Sequence, residues 1–358
     1  MGATYGRNLR MTIFGESHGS GIGLVLDGLT PGTPIDEVFI KEEMARRAPG
    51  QNKMSTQRQE KDAYIIESGV FEGKATGTPL CVLIPNSDQH SKDYSLLKDV
   101  MRPGHADYAG KVKYKGFNDY RGGGHFSGRL TAPLVFTGAI AKSVLAQKGI
   151  TVGAHVARIG TITDSLFNPL GEQEERLLSL RKQTLPVLDE SKAKLMEAEI
   201  LSAKEQQDSV GGIIEVMATG MPPGIGDPFF DSLESRLAHA LFSVPAVKGI
   251  EFGTGFSIAA LKGSEANDPM VFEGDKVRTI RNNNGGITGG ITNRMPVLFR
   301  VAIKPTPSIS QPQKTVNVTT GEDTTLEIKG RHDPCIVPRA VPVIEAVTAW
   351  TLLDMLSE

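Results

Sequence analysis

The stretch LVLDGLTPG, residues 24–32, is matched later in the chain by EVMATGMPPG, residues 215–224. Each is a short apolar run of strand character closed by Gly-x-x-Pro-Gly. Each is followed by an acidic residue and an amphipathic helix pattern, which reaches Arg46-Arg47 in one copy and Arg236 in the other. The run from Gly73 through Pro79 to Pro85 corresponds in the same way to Gly290 through Pro296 to Pro305. Two apolar helix patterns complete the parallel. Leu130–Leu145 begins just after Arg129 and Ala340–Leu356 just after Arg339, each with proline in its first turn, where a missing N–H is tolerated. Helices so apolar on most faces are buried. Three features in one order predict an internal duplication of a strand–helix–strand–strand–helix unit. Its halves, about 1–150 and 151–358, share one core in a single domain. The expected fold class is α+β, a layered β-α-β sandwich with buried helices between antiparallel sheets.

Composition narrows the function. The chain is 39% hydrophobic and 22% charged, an ordinary globular balance. Its 39 basic and 41 acidic residues give a net charge of -2, which argues against a general nucleic-acid binder. Cys81 and Cys335 lie far apart and in no metal-type spacing, which fits a reducing cytoplasm. The N-terminus lacks a signal-peptide pattern, and the longest apolar stretches are broken by charges and do not read as membrane spans. Acidic residues crowd 171–208. There Ala193, Met196, Ile200 and Ala203 recur at helical spacing, which predicts an amphipathic surface helix.

Four of the seven histidines lie in glycine- or proline-bounded loops. His18 sits in GESHG (15–19), His105 in RPGHADY (102–108), His125 in GGGHFSGR (122–129) and His332 in GRHDPC (330–335). His90, His155 and His239 lack such company and read as structural or surface residues. Taken singly, each loop also reads as a tight turn, where glycine and polar residues gather. Taken together they suit a small polyanion whose reaction moves protons. Glycine lets backbone N–H groups approach a ligand, arginine offers a fork for carboxylate or phosphate, and histidine exchanges a proton near neutral pH. A metal site is the weaker reading, since no two histidines stand at i, i+4. The glycine-dense run 19–23 leads into a strand rather than a helix, which excludes a Rossmann motif. The P-loop pattern of a phosphotransferase is absent.

As a set the motifs resemble chorismate synthase. They are GESHG (15–19), TQR (56–58), RPGHADY (102–108), DYRGGG (119–124), AVKGIEFG (246–253), GGITGGIT (285–292), KPTPS (304–308) and RHDPC (331–335), in that family's order along nearly the whole chain. The resemblance implies an anti-1,4 elimination of phosphate from 5-enolpyruvylshikimate-3-phosphate to give chorismate. It also implies a requirement for reduced FMN and a homotetramer of sandwich-like subunits. It places Ser17 and His18 at the substrate, with His18 as acid toward the departing phosphate. His105 lies by the flavin ring, and Asp333 works with the flavin N5 to take the C6 proton. Arg47, Arg102, Arg129 and Arg331 grip the substrate's phosphate and carboxylates. Flavin contacts fall at His125, Phe126, Ser127, Pro245, Ala246, Gly285, Lys304, Pro305, Thr306, Pro307, Ser308 and Arg331. Arg47 and Lys53 fall where the family contacts NADPH, the nicotinamide reductant. The chain departs from many relatives at His125-Phe126, where they carry Arg-Ser. A binding protein that kept this fold without catalysis is the competing reading; the presence of His18, His105 and Asp333 with the arginines speaks for the enzyme.

Overall fold

The computed structural model describes residues 2–50, 54, 62–87, 96–328 and 333–357. Its architecture mixes helix and sheet. One five-stranded sheet takes β1 (Thr4–Tyr5), β2 (Arg10–Gly15), β3 (Gly21–Asp27), β4 (Ile65–Ser68) and β5 (Leu80–Pro85) in the order β1-β2-β3-β5-β4. The other takes β6 (Thr151–Ile159), β7 (Ile162–Thr163), β8 (Gly212–Thr219), β9 (Val247–Phe252) and β10 (Val297–Ile303) in the order β9-β10-β8-β6-β7. All neighbours are antiparallel. In each sheet the strand that ends in the Pro-Gly turn, β3 or β8, pairs with the proline-bounded strand β5 or β10. That strand in turn pairs with β4 or β9.

Helices packed into the core include α1 (Glu37–Arg47), α2 (Thr131–Gln147), α3 (Leu233–Phe242) and α4 (Val337–Met355). Asp36 caps α1 by accepting from the N–H groups of Val38 and Phe39. Helices α2 and α4 cross so closely that a Cβ on Gly138 would lie 2.2 Å from the Ala346 Cβ. Any larger residue at 138 would force them apart. α2 also touches β3 and β6, and α4 touches β6 and β8. Buried apolar residues from both sheets and all four helices form one cluster that includes Leu24, Leu80, Ile40, Phe136, Phe299, Leu237 and Trp350. Full burial of each such side chain stabilises by about 1.5–3 kcal/mol. Inside this apolar volume Lys142 of α2 donates to Glu43 of α1 and Glu345 of α4, both at 2.5 Å, and Arg46 pairs with Glu345 at 2.6 Å. The two carboxylates would repel without those cations, so the cluster ties three helices into one arrangement.

Two sequence expectations shift. The amphipathic pattern after Pro222-Pro223-Gly224 does not end at Arg236: helix α3 starts at Leu233, where the Ser232 hydroxyl accepts from the Ser235 N–H. Helix α4 begins at Val337, so Pro338 rather than Pro342 holds the first-turn place and Arg339 lies inside that turn. The acidic segment does contain a helix, Glu190–Glu205, with Met196 and Ile200 buried.

Candidate active site

GESHG forms the tip of the β2–β3 hairpin, where Gly15 pairs with Ile22. The loop closes with the Gly19 N–H on the Glu16 carbonyl at 3.1 Å. Ser17 and His18 are both buried, although they occupy a turn. The reason is a second loop pressed onto it. Ser17 N–H donates to the Gly124 carbonyl at 3.2 Å and Ser17 Oγ donates to the Gly122 carbonyl at 3.2 Å. His18 Nδ1 lies 3.1 Å from Ser17 Oγ. With the hydroxyl proton on Gly122, that oxygen is placed to accept from Nδ1–H.

Gly122, Gly123 and Gly124 all have positive φ, at 58°, 85° and 52°. A Cβ on Gly122 would stand 2.1 Å from the His18 ring, and one on Gly123 would stand 3.0 Å from His105 Cε1 and 3.2 Å from His105 Nε2. The three glycines are therefore a thin wall with an imidazole against each of two consecutive residues. Only glycine combines that backbone with that clearance.

His105 is held from behind. Its Nδ1 lies 2.7 Å from Asp107 Oδ1, and Arg102 reaches the same carboxylate through Nε and Nη2, both at 2.7 Å. Burial opposes ionisation of Asp107, but the hydrogen bonds from Arg102 and His105 outweigh it and hold this carboxyl well below the usual range. Arg102 Nη1 reaches Ser308 Oγ at 3.3 Å, and Lys304 Nζ donates to the Gly104 carbonyl. The run Lys304–Ser308 thus meets the His105 loop. Burial, then Lys248, lowers the Lys304 pKa. Thr306 Oγ1 is buried and has no hydrogen-bond partner among the described residues. Ala246 accepts from the Lys304 N–H at 2.9 Å, so Pro245-Ala246 adjoins the same run.

A second node gathers the arginines. Arg47 donates through Nε to Asp62 Oδ2 at 2.8 Å and through Nη1 to Thr131 Oγ1 at 3.3 Å, while Arg129 grips Asp62 Oδ1 from the other side. Asp62, Arg47 and Arg129 are all buried. Arg339 donates to the Arg47 carbonyl at 3.0 Å and pairs with Asp333. Asn86 joins the two nodes. Its Nδ2 donates to the carbonyls of Glu16 and Gly19 at 2.9 Å and 3.0 Å, and its Oδ1 accepts from Arg129 Nε at 3.1 Å. From Ser17 to Asp333 the chain of contacts is continuous.

The other expected residues are more scattered. His125 Nδ1 lies 3.0 Å from the Gly15 carbonyl. The Phe126 ring stands against Gly110 and Tyr114. Ser127 Oγ accepts from the Arg129 N–H at 3.3 Å and so caps the turn before α2. Gly285 lies elsewhere in the fold: it meets Gly253 and Leu298, at the end of the β9–β10 pair opposite Lys304. Lys53 and Arg331, like His90 and His332, lie outside the described residues. His155 is a core residue, bonded to Asp164 at 3.1 Å and Glu215 at 3.0 Å. Sequence reasoning missed Asp62, Asn86 and Asp107. Asp107 alone carried a signal, two residues beyond His105 in the same loop.

This geometry gathers two imidazoles, the carboxylates of Asp62, Asp107 and Asp333, and the guanidinium groups of Arg47, Arg102, Arg129 and Arg339, a set suited to proton transfer on an anionic substrate. Residues 9–357 match the family described as Chorismate synthase. A chorismate synthase of Methanocella arvoryzae is 48% identical over 355 residues, which cover 99% of this chain and 94% of the relative. One of Pyrococcus abyssi is 48% identical over 351 residues, covering 98% and 96%. A solved structure described as the crystal structure of chorismate synthase superimposes with a TM-score of 0.74 at 32% identity, covering 98% of this chain and 92% of that one.

Proposed function

The chain belongs to the chorismate synthase family, and on that premise we propose that it is a lyase that eliminates phosphate from 5-enolpyruvylshikimate-3-phosphate to form chorismate in the shikimate pathway. The observation that carries the reading is the pair of imidazoles set against Gly122 and Gly123. His18 donates a proton from Nε2 to the departing phosphate, whose charge rises as the C–O bond breaks. Asp333, oriented by Arg339, is the carboxylate that receives the proton leaving C6. Arg47, Arg102, Arg129 and Arg331 are the guanidinium groups assigned to the substrate's anionic groups. Charge-assisted hydrogen bonds of this kind contribute about 1.5–3 kcal/mol each.

Reduced FMN is the cofactor we infer. The run Lys304–Ser308 supports it with an ammonium, the buried hydroxyl of Thr306, unpaired among the described residues, and the hydroxyl of Ser308. Such donors suit a flavin's phosphate and carbonyl groups. When bound, the flavin supplies electron density to an electron-poor allylic centre. His105 holds or returns a proton beside it.

The same reading extends to architecture. Matching strand orders, the placement of α2 against both sheets and its close crossing with α4 support a sandwich of two duplicated halves in one domain. A homotetramer in the cytoplasm completes the proposal; the two free cysteines fit that compartment.

The test is an anaerobic assay of the pure protein with the enolpyruvyl phosphate substrate and chemically reduced FMN. Chorismate and inorganic phosphate should appear in equal amounts, and a protein that releases neither refutes the assignment. A second arm with NADPH and oxidised FMN asks whether the chain reduces its own flavin. The variant His105→Ala should lower turnover roughly 100–10,000-fold with the fold intact; wild-type rates would remove His105 from the chemistry.

A further inference from the structure

We propose that Asp107 is a positioning residue that fixes the tautomer of His105, so that Nε2 is the nitrogen that exchanges protons in the site. The proposal deepens the reading above and rests on His105 having a proton-handling role there. A carboxylate only accepts, so the 2.7 Å contact between Asp107 Oδ1 and His105 Nδ1 places a proton on Nδ1. Arg102 Nη2 also lies 3.1 Å from Nδ1, but with that proton aimed at Asp107 the nitrogen offers it no lone pair. The guanidinium instead serves Asp107, to which it makes two bonds of 2.7 Å, and the Arg102 N–H adds a third at 3.0 Å. Asp107 is consequently buried, ionised and immobile, with its side chain 6% exposed. The imidazole opposes Gly123, where Nε2 is close enough that a Cβ would lie 3.2 Å away.

Other charged groups are also at hand. Lys304 approaches through the Gly104 carbonyl, and His18 stands against Gly122, next in the glycine wall. Among the described residues only Asp107 contacts a ring nitrogen of His105 as a carboxylate acceptor. The arrangement also gives Arg102 a second task beside the substrate contact proposed above. Its donors orient the carboxylate that orients the histidine, and so Arg102 acts on the chemistry from behind the ring.

Two measurements test this on the full chain. Long-range ¹⁵N–¹H correlation spectra of the wild-type protein should show neutral His105 protonated at Nδ1. In Asp107→Asn the side-chain amide can donate to Nδ1, and the neutral ring should swap to the Nε2–H form. Turnover should fall roughly 100–10,000-fold with substrate KM changed less than about threefold, and Asp107→Glu should recover part of the loss. In a His105→Ala background the same Asp107→Asn change should have no further effect on turnover. A wild-type ring protonated at Nε2, an unchanged tautomer in Asp107→Asn, or an additive loss in the double variant each overturns the proposal. If Asp107→Asn does not fold, the wild-type spectrum alone still decides. The tautomer is read without turnover, so a protein that makes no chorismate refutes the lyase assignment while leaving this test standing.

Discussion

Gly122 backs directly onto His18: a methyl group in place of its α-hydrogen would sit 2.1 Å from the imidazole Cε1 and Nδ1 and 2.8 Å from Ser17 Oγ. The contact explains why a hairpin tip can bury a serine and a histidine, since the second loop closes over them with no side chain of its own. Gly122→Ala therefore cannot be absorbed locally. Displacement of a catalytic group by about 1 Å costs on the order of 100-fold in rate, so the variant should retain its circular dichroism spectrum and lose turnover by that order. Full activity in Gly122→Ala would show that His18 need not occupy this position.

Asn86 bonds both the hairpin tip and Arg129 through one side chain. Replacing it with leucine removes three hydrogen bonds, each worth about 0.5–1.5 kcal/mol, or about 1.5–3 kcal/mol for the one from the charged Arg129 guanidinium. Asn86→Leu should lower the melting temperature and raise substrate KM together, because the tip and the arginine node lose their common anchor. A drop in stability with unchanged KM would mean that the bridge is structural only.

Much of this was legible in the sequence, and what was not has a physical cause. The strand runs 24–27 and 215–219 and the two apolar helices declared themselves, because periodicity and flanking prolines are local signals. The loops of His18, His105 and Asp333 were visible because glycine and histidine together are unusual outside sites. Arg47, Arg102 and Arg129 could be found but not their partners. Asp62 and Asn86 meet their arginines across 15 and 43 residues of chain, and spacing carries no trace of such pairings. Helix α4 was placed three residues late, at Ala340 instead of Val337, because Pro338 and Pro342 satisfy the same first-turn rule and the choice between them depends on tertiary packing.

Asp333 is paired with Arg339, whose Nε donates to the Arg47 carbonyl. The link places this carboxylate in the arginine node while Arg339, through its bond to the Arg47 carbonyl, keeps it oriented. Asp333→Asn retains an acceptor for Arg339 and removes the base. It should cut turnover roughly 100–10,000-fold while flavin binding, followed by the absorbance change on titration with FMN, stays near the wild-type value. Unchanged turnover would exclude Asp333 as the proton acceptor, and loss of FMN binding would recast it as a cofactor residue.

His155 offers the pH test of the fold. Its ring bridges Asp164 and Glu215 in the core of the second sheet. Burial opposes its charge, but the hydrogen bonds it donates to both carboxylates prevail and raise its pKa above the ordinary histidine value. The same contacts, set against burial, lower the pKa of Asp164. A histidine raised on folding contributes stability that is complete below its unfolded pKa, near 6.5, and is lost as pH climbs through the folded value. His155→Asn keeps a polar side chain but abolishes the cation, leaving buried carboxylates without it, a change that costs about 3–5 kcal/mol where the ring is charged. Melting curves of the two proteins should therefore differ most at about pH 6 and converge as pH rises past the neutral range. A gap that is constant with pH, or that widens on the alkaline side, would show that the ring is neutral in the folded protein.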